Sequence, residues 1–186
     1  MIDPEVAAAI DAITVALNAD DAHWQLRPES DDDIAFVRSL YASTRWEELA
    51  ALPWPDEAKR AFLSDQSRLQ GKHYREHFTG AAFHLIERDA RPVGRVYLHA
   101  SLREFLLLDI ALLPEWRGLG HGGRVLAALM QCARTSGRCI TLHVENDNPA
   151  RRLYARLGFA FVEQQGFHAC LRWPAPDVDT QLNTAS

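Results

Sequence analysis

Apolar residues recur along this chain with two different periods, and the changes of period mark its elements. In the first 22 residues they recur every three to four positions, which predicts an amphipathic helix packed on the rest of the protein or on a second subunit. The same period predicts a helix over residues 34–52 and, after the helix-breaking stretch LPWPDE, a helix from Asp56 to about His77. The apolar positions of the first helix are Ile2, Val6, Ile10, Ile13 and Leu17.

Strand patterns fill most of the remaining chain. Short alternating segments over residues 24–27, 81–88 and 93–100 predict strands, and a nearly continuous apolar run over 104–113 predicts a central strand. After a glycine-rich loop, the pattern predicts in turn a helix to about Ser136, a strand over Cys139–Glu145, a short helix in NPARRLYARLGF and a terminal hairpin around Gly166. This order predicts a mixed α/β sheet built around a central strand–helix–strand unit.

Length and composition fit one globular domain. The chain has 186 residues, of which 47% are hydrophobic and 24% charged. We expect an N-terminal amphipathic helix over residues 1–22, one α/β domain over 23–173 and a polar, frayed tail over 174–186.

No apolar run is long enough to span a membrane, and the acidic N-terminus is unlike a signal peptide. Three cysteines form no paired framework, which favours a cytoplasmic location.

The charge distribution indicates the kind of ligand. A formal net charge of −5 argues against a general nucleic-acid binder. Residues 117–138 nevertheless contain four arginines and no acidic residue. A basic stretch in an acidic chain favours a small anionic ligand over a polyanion.

The glycine-rich loop lies inside that basic stretch, in PEWRGLGHGGRVLAAL. Four of six consecutive positions are glycine, directly before a helical pattern: Gly118, Gly120, Gly122 and Gly123. Glycine here costs conformational entropy, so a bare backbone must serve a purpose. The N–H groups and positive dipole end of a helix N-terminus bind anions, and the pattern therefore predicts a phosphate cradle.

One interpretation of this loop is a dinucleotide site. Gly118-x-Gly120-x-x-Gly123 matches the glycine fingerprint, and Glu145 follows 22 residues after Gly123, near the expected position of the ribose-binding acid. Two features argue against it. The residues PEWR separate the strand from the first glycine, and only 41 residues follow Glu145, too few to complete a doubly wound sheet.

Two linked motifs instead resemble the GNAT superfamily, the GCN5-related N-acetyltransferases. Their central motif is a strand, a proline and then Arg/Gln-x-x-Gly-x-Gly/Ala opening a helix, and DIALLPEWRGLGHG supplies it with Arg117, Gly120 and Gly122. About thirty residues later the family carries a second motif, which is similar to NPARRLYARLGF here. Its matching residues are Asn148, Ala150, Leu153, Tyr154, Gly158 and Phe159. The resemblance covers roughly residues 24–173.

The resemblance implies a fold, a cofactor and its contacts. The fold is a single-domain GNAT-like mixed sheet with a splayed central strand pair and flanking helices. The cofactor is acetyl-CoA, whose pantetheine arm hydrogen-bonds the opened strand edge at Ile110, Ala111 and Leu112. The remaining cofactor contacts that the resemblance implies are Arg117, Gly118, Leu119, Gly120, His121, Gly122, Gly123 and Asn148.

The resemblance also implies catalytic residues. Tyr154 matches the tyrosine that protonates the leaving thiolate. The general base stays open among Glu145, our first choice, His143 on the same strand face, and Asp109 within the central strand. An α-amine, with a pKa of roughly 7.7–8.0, needs less help from a base than a lysine amine near about 10.4.

The sequence singles out an acceptor region and a metal motif. We expect the amine to bind over the helices of residues 34–77, among Tyr41, Arg45, Trp46, Trp54, Gln66, Gln70 and Tyr74. The segment HYREH matches a zinc-peptidase signature through His73 and His77. No third ligand follows at a spacing that is typical of a zinc site. We therefore expect no metal.

Together these observations predict an N-acetyltransferase that moves acetyl directly from acetyl-CoA to an amine of a small molecule or a peptide or protein. The alternatives are a non-enzymatic acyl-CoA-binding or sensor module of the same fold and, lower, a dinucleotide-binding protein. We expect no nucleic-acid or membrane partner, and the N-terminal helix permits a homodimer.

Overall fold

The computed structural model describes residues 3–20 and 22–174 of the chain. Ile2 of the first predicted helix and the predicted tail beyond residue 174 lie outside the described residues. The helices are α1 (Pro4–Leu17), α2 (Ile34–Arg45), α3 (Asp56–His77), α4 (His121–Ser136) and α5 (Arg151–Arg156). The strands are β1 (Trp24–Pro28), β2 (Ala82–Arg88), β3 (Arg91–Ala100), β4 (Glu104–Leu112), β5 (Cys139–Glu145), β6 (Ala160–Gln165) and β7 (His168–Trp173).

The strands form one sheet in the order β1-β2-β3-β4-β5-β7-β6. Only β4 and β5, joined through α4, are parallel; every other neighbouring pair is antiparallel. The predicted mixed α/β fold is confirmed. The doubly wound sheet of the dinucleotide alternative is wrong, because that fold needs several parallel neighbours.

The central strand pair is splayed, as the resemblance implied. β4 and β5 are paired only from Glu104 opposite Cys139 to Leu107 opposite Leu142, and the rest of β4 runs on without β5. The register between β3 and β4 shifts at the same level, which leaves Leu108 as an extra residue in β4. A bulge of this kind bends a strand, and here it coincides with the parting of β4 from β5.

Helix α1 belongs to the same hydrophobic core as the sheet. It packs against α4, β1 and β3, and its buried side chains are Val6, Ala9, Ile10, Ile13 and Leu17. The side chains of α4 and the central strands share that core. Helices α2 and α3 pack on each other, and α2 also contacts β3 and β4. The predicted amphipathic face of α1 is therefore covered within the chain.

Several predicted boundaries differ from the structure. The first helix, predicted over residues 1–22, ends at Leu17. The helix predicted over residues 34–52 ends as an α-helix at Arg45 and continues as a 3₁₀ turn, Trp46–Leu49. Side chains three residues apart align in a 3₁₀ turn, and Arg45 and Glu48 are paired at 3.2 Å. β3 begins two residues early because its turn consists only of Asp89 and Ala90, which both have positive φ and so match the twist of a tight hairpin.

A buried carboxylate holds the start of α2 to the sheet. Asp33, 6% exposed, accepts hydrogen bonds at 2.7 Å from both terminal nitrogens of Arg27 in β1. It also accepts bonds from the backbone N–H and the hydroxyl of Ser30, at 2.8 and 2.9 Å. Hydrogen bonding to Arg27, followed by that to Ser30, keeps the pKa of Asp33 well below its ordinary value despite burial.

Asp33→Asn is expected to destabilise the protein at neutral pH. A carboxylate whose pKa is lowered on folding contributes stability above its unfolded pKa of about 3.9 and loses it as the pH falls toward the lower folded value. The wild type should therefore be more stable than the variant by on the order of 2 kcal/mol at pH 7, and less so at pH 3. Urea unfolding at both pH values measures this, with Asp32→Asn as an exposed neighbouring control. A difference that is the same at both pH values contradicts the assignment.

Candidate active site

The glycine-rich loop forms an open N-terminus for α4. Gly118 and Gly120 have φ values of 73° and 89°, in the left-handed region that favours glycine. Gly120 is the N-cap residue, and no side chain caps the helix. The first N–H groups of a helix have no partner within it, so those of α4 remain available to a ligand. A Cβ at Gly120 would meet nothing within 4 Å.

A cavity of ≈ 590 Å³ extends from this loop along the last residues of β4, beyond the part of the strand that is paired with β5. Eight of the predicted cofactor residues line it: Ile110, Ala111, Leu112, Arg117, Gly118, Gly120, Gly122 and Gly123. The opposite wall comes from α5 and the residues before it, including Pro149, Ala150, Leu153 and Tyr154. We call this space the cofactor cavity.

Three predicted cofactor residues have side chains elsewhere. Leu119 is 61% exposed and does not line the cofactor cavity. The ring of His121 packs against Trp24, with centroids 4.4 Å apart, and burial lowers its pKa. Asn148 lines the neighbouring cavity instead, and its Oδ1 accepts a hydrogen bond from the Ala150 N–H at 2.9 Å. Any cofactor contact of Leu119 or His121 would therefore come from the backbone.

Arg117 has a different position from that expected of an anion-binding side chain. Its Nε donates to the Leu112 carbonyl at 2.7 Å, and its Nη2 donates to the Ser43 hydroxyl at 2.9 Å. Burial lowers its pKa. The guanidinium thus ties the end of β4 and the loop to α2 at the wall of the cofactor cavity.

A second cavity of ≈ 670 Å³ lies between helices α2 and α3 and the parted strands. We call it the acceptor cavity. Five residues predicted for the acceptor line it: Tyr41, Arg45, Gln66, Gln70 and Tyr74. Trp46 and Trp54 do not; Arg60 lies over the Trp46 ring, and Trp54 packs against Phe62.

The two cavities share part of their lining, and Tyr154 stands between them. Tyr154, Ile110 and Ala150 line both cavities. The Tyr154 side chain is 6% exposed, and its ring packs against Phe159 with centroids 5.6 Å apart. Burial, reinforced by the negative charge of Asp109, raises the pKa of its phenol. The phenol is therefore in its protonated, hydrogen-donating form at neutral pH.

The three candidate bases have unequal surroundings. Arg45 donates to Glu145, pairing with both carboxylate oxygens, and His168 Nε2 lies 3.6 Å from Glu145 Oε1. Asp109 is paired with the buried Arg95. His143 is exposed in the acceptor cavity, and its ring has no hydrogen bond or ion pair within the described part of the chain.

Arg95 and Leu108 contact predicted site residues, although neither was predicted from the sequence. Arg95 lies in β3, 3% exposed, and donates to Gln70 Oε1 at 2.8 Å as well as pairing with Asp109. Tyr74 donates to the carbonyl of Leu108, the bulged residue of β4, at 3.0 Å. These contacts join residues 14 to 34 positions apart, and only the pairing of β3 with β4 and the packing of α3 bring them together.

The HYREH segment forms a stacked histidine pair. His73 and His77 have ring centroids 4.2 Å apart, and His77 Nδ1 lies 2.9 Å from the His73 carbonyl. Across residues 3–20 and 22–174, no group of three or more His, Cys, Asp or Glu side chains could hold a metal ion. In the same ranges, no helix is long and apolar enough to cross a membrane.

Comparison with known proteins finds relatives of this chain in sequence and in structure. The model of the acetyltransferase (GNAT) family matches residues 41–159. The uncharacterized N-acetyltransferase YhfO of Bacillus subtilis is 41% identical over 76 residues, covering 39% of this chain and 50% of that protein. The [ribosomal protein bS18]-alanine N-acetyltransferase of Haemophilus influenzae is 34% identical over 80 residues, covering 42% and 54%. The chain thus spans about half the length of these relatives.

Solved structures share the fold at low sequence identity. The PaiA N-acetyltransferase of Thermoplasma acidophilum, solved with coenzyme A, superposes with a TM-score of 0.59 at 16% identity, covering 80% of this chain and 97% of that one. An acetyltransferase of Thermus thermophilus gives the same TM-score and identity, covering 82% and 97%.

Proposed function

The chain belongs to the GNAT acetyltransferase family, which uses acetyl-CoA, and from this premise we propose that it is an N-acetyltransferase that moves acetyl directly from acetyl-CoA to an amine of a small molecule or a peptide or protein. One observation carries the proposal: the cofactor and acceptor cavities share lining residues beside the unpaired end of β4, namely Ile110, Ala150 and Tyr154. Direct transfer requires the thioester and the amine to meet within one enclosed space.

The described residues fit the cofactor in two places. The open N-terminus of α4 is suited to its diphosphate, because converging N–H groups and the helix dipole both favour an anion. Beyond Leu107, the edge of β4 facing the gap has no strand partner. An extended pantetheine arm can hydrogen-bond such an edge as an added strand would, at Ile110, Ala111 and Leu112.

The reaction then needs two proton transfers. The neutral amine nitrogen attacks the thioester carbon, the C–S bond breaks, and its electrons leave with sulfur as a thiolate. Tyr154 donates its phenolic proton to that thiolate, so that CoA leaves as a thiol. The amine nitrogen loses a proton to a base or to water, and Tyr154 recovers its proton from solvent.

His143 is now our first choice for the base, ahead of Glu145 and Asp109. Glu145 and Asp109 are each engaged by an arginine, whereas the ring of His143 is exposed in the acceptor cavity. His143 lies in β5 just beyond Leu142, where pairing with β4 stops. We place Glu145 and Arg45 instead as a charged pair that positions the acceptor.

His143→Gln is expected to lower kcat about 10- to 100-fold, because the variant lacks the ring nitrogen that would accept the proton of the amine. The loss should shrink as the pH rises, because more of the substrate amine is then already neutral. Glu145→Gln is the matched control and should mainly raise the KM of the amine. Steady-state kinetics with one good acceptor at several pH values measures both variants. If His143→Gln turns over as fast as the wild type at every pH, a water molecule or Glu145 takes the proton instead.

The proposed function itself is tested with acetyl-CoA and a panel of acceptors: small amines, free amino acids, and peptides with a free or blocked N-terminus and with or without lysine. We expect steady release of CoA thiol with at least one class, and an acetylated product by mass spectrometry. If CoA binds by calorimetry but no acceptor releases thiol, the chain is an acyl-CoA-binding module. If CoA does not bind, the proposal is wrong altogether.

A further inference from the structure

Arg117, Arg152 and Arg156 line the cofactor cavity, and Arg124 in α4 and Arg151 in α5 belong to the two helices that contribute to its walls. Three of these five arginines already have partners. Arg117 is held by Leu112 and Ser43. The remaining two with partners are Arg124, which is paired with Asp20, and Arg151, which donates to the Asn146 carbonyl at 3.0 Å. Of the two arginines in the glycine-rich loop and the first turn of α4, Arg117 and Arg124, neither guanidinium is free to bind the diphosphate.

The other two arginines are Arg152 and Arg156. Both line the cofactor cavity and are exposed at its rim. They are four residues apart on α5, so their side chains lie on the same helix face. Over the ranges the structure describes, neither guanidinium group has a hydrogen bond or ion pair.

Helix α5 sets these arginines beside the phosphate cradle. Leu153, the residue after Arg152, packs directly over the first turn of α4. Its Cδ2 would lie 3.8 Å from a Cβ built at Gly122, and its Cδ1 4.0 Å from one built at Gly123. Arg152 and Arg156 consequently face the cavity next to the site where the diphosphate is expected, yet from the opposite wall.

We propose that Arg152 and Arg156 bind the 3′-phosphate of CoA and make the site selective for CoA over nucleotides that lack this group; the inference rests on the proposed function. CoA carries its phosphates in two places, a diphosphate and a separate monophosphate on the ribose. The α4 N-terminus accounts for the first. A phosphate monoester has a charge of about −1.5 to −2 at neutral pH. Two guanidinium groups on one helix face complement both the charge of this phosphate and the arrangement of its oxygen atoms.

The test compares the affinities of CoA and 3′-dephospho-CoA by calorimetry. We expect the wild type to bind CoA about 10- to 30-fold more tightly, as exposed but charge-assisted contacts allow. The double variant Arg152→Gln/Arg156→Gln should bind 3′-dephospho-CoA as the wild type does and lose the preference for CoA. The double variant Arg152→Lys/Arg156→Lys, which retains the charge, should keep part of the preference. Arg151→Gln, on the same helix, is the control and should keep all of it.

Each other outcome overturns the inference in a recognisable way. Equal loss of affinity for both ligands in the double glutamine variant would assign the arginines to the diphosphate. A wild type that binds both ligands equally would show that the 3′-phosphate is not read at all, while leaving the proposed function intact. A wild type that binds neither ligand would instead contradict the proposed function. A thermal melt of each variant verifies folding before binding is measured.

Discussion

Gly120→Glu is expected to weaken acetyl-CoA binding by at least about 100-fold, a difference of about 2.7 kcal/mol, while the protein remains folded. Gly120 is the N-cap of α4 and lines the cofactor cavity. A glutamate there would place a carboxylate among the free N–H groups of the helix. This negative charge would take the place of the diphosphate and repel it. Acidic groups stabilise helix N-termini, which is why folding should survive.

Gly120→Ala separates the effect of the added charge on CoA binding from the effect of backbone strain. An alanine at φ 89° costs about 1–2 kcal/mol of conformational energy, but its Cβ would meet nothing within 4 Å. We expect a lower melting temperature and an affinity within about tenfold of the wild type. Calorimetry with CoA measures both variants. Unchanged affinity in Gly120→Glu would remove the loop from the cofactor site.

Tyr154→Phe is expected to lower kcat about 10- to 1000-fold and to change the dissociation constant of CoA less than about threefold. The substitution keeps the ring and its packing on Phe159 and removes only the acidic hydroxyl. Because burial raises the pKa of Tyr154, the protonated phenol persists above its ordinary value of about 10. Its titration should therefore cause no loss of wild-type kcat between pH 8 and 10.

Tyr41→Phe is the matched control for this prediction. Tyr41 lines the acceptor cavity without lining the cofactor cavity, so losing its hydroxyl should change the KM of the amine more than kcat. Steady-state kinetics with one good acceptor compares the two variants. Parallel losses of CoA affinity and turnover in Tyr154→Phe would make its hydroxyl a structural group.

The features that sequence alone determined are local ones. α3 begins at Asp56 and ends at His77, and β5 spans Cys139–Glu145, as their periodicity predicts. The open N-terminus of α4 also follows from neighbouring residues, because a run of glycines leaves backbone N–H groups uncovered without any distant partner. Helix ends, strand alternation and anion cradles depend on interactions within a few positions, and a sequence records those directly.

Tertiary structure determined which side chains meet around the acceptor cavity. Arg45 and Glu145 are 100 positions apart, and no local pattern in the sequence predicts that they pair. His121 lies within the glycine-rich loop, yet its ring packs against Trp24 of β1. The parting of β4 from β5 coincides with a one-residue bulge at Leu108, whose carbonyl binds Tyr74 from α3. Each depends on which surfaces meet when the sheet forms, because a side chain's partner is set by packing across the fold and not by its neighbours in the chain.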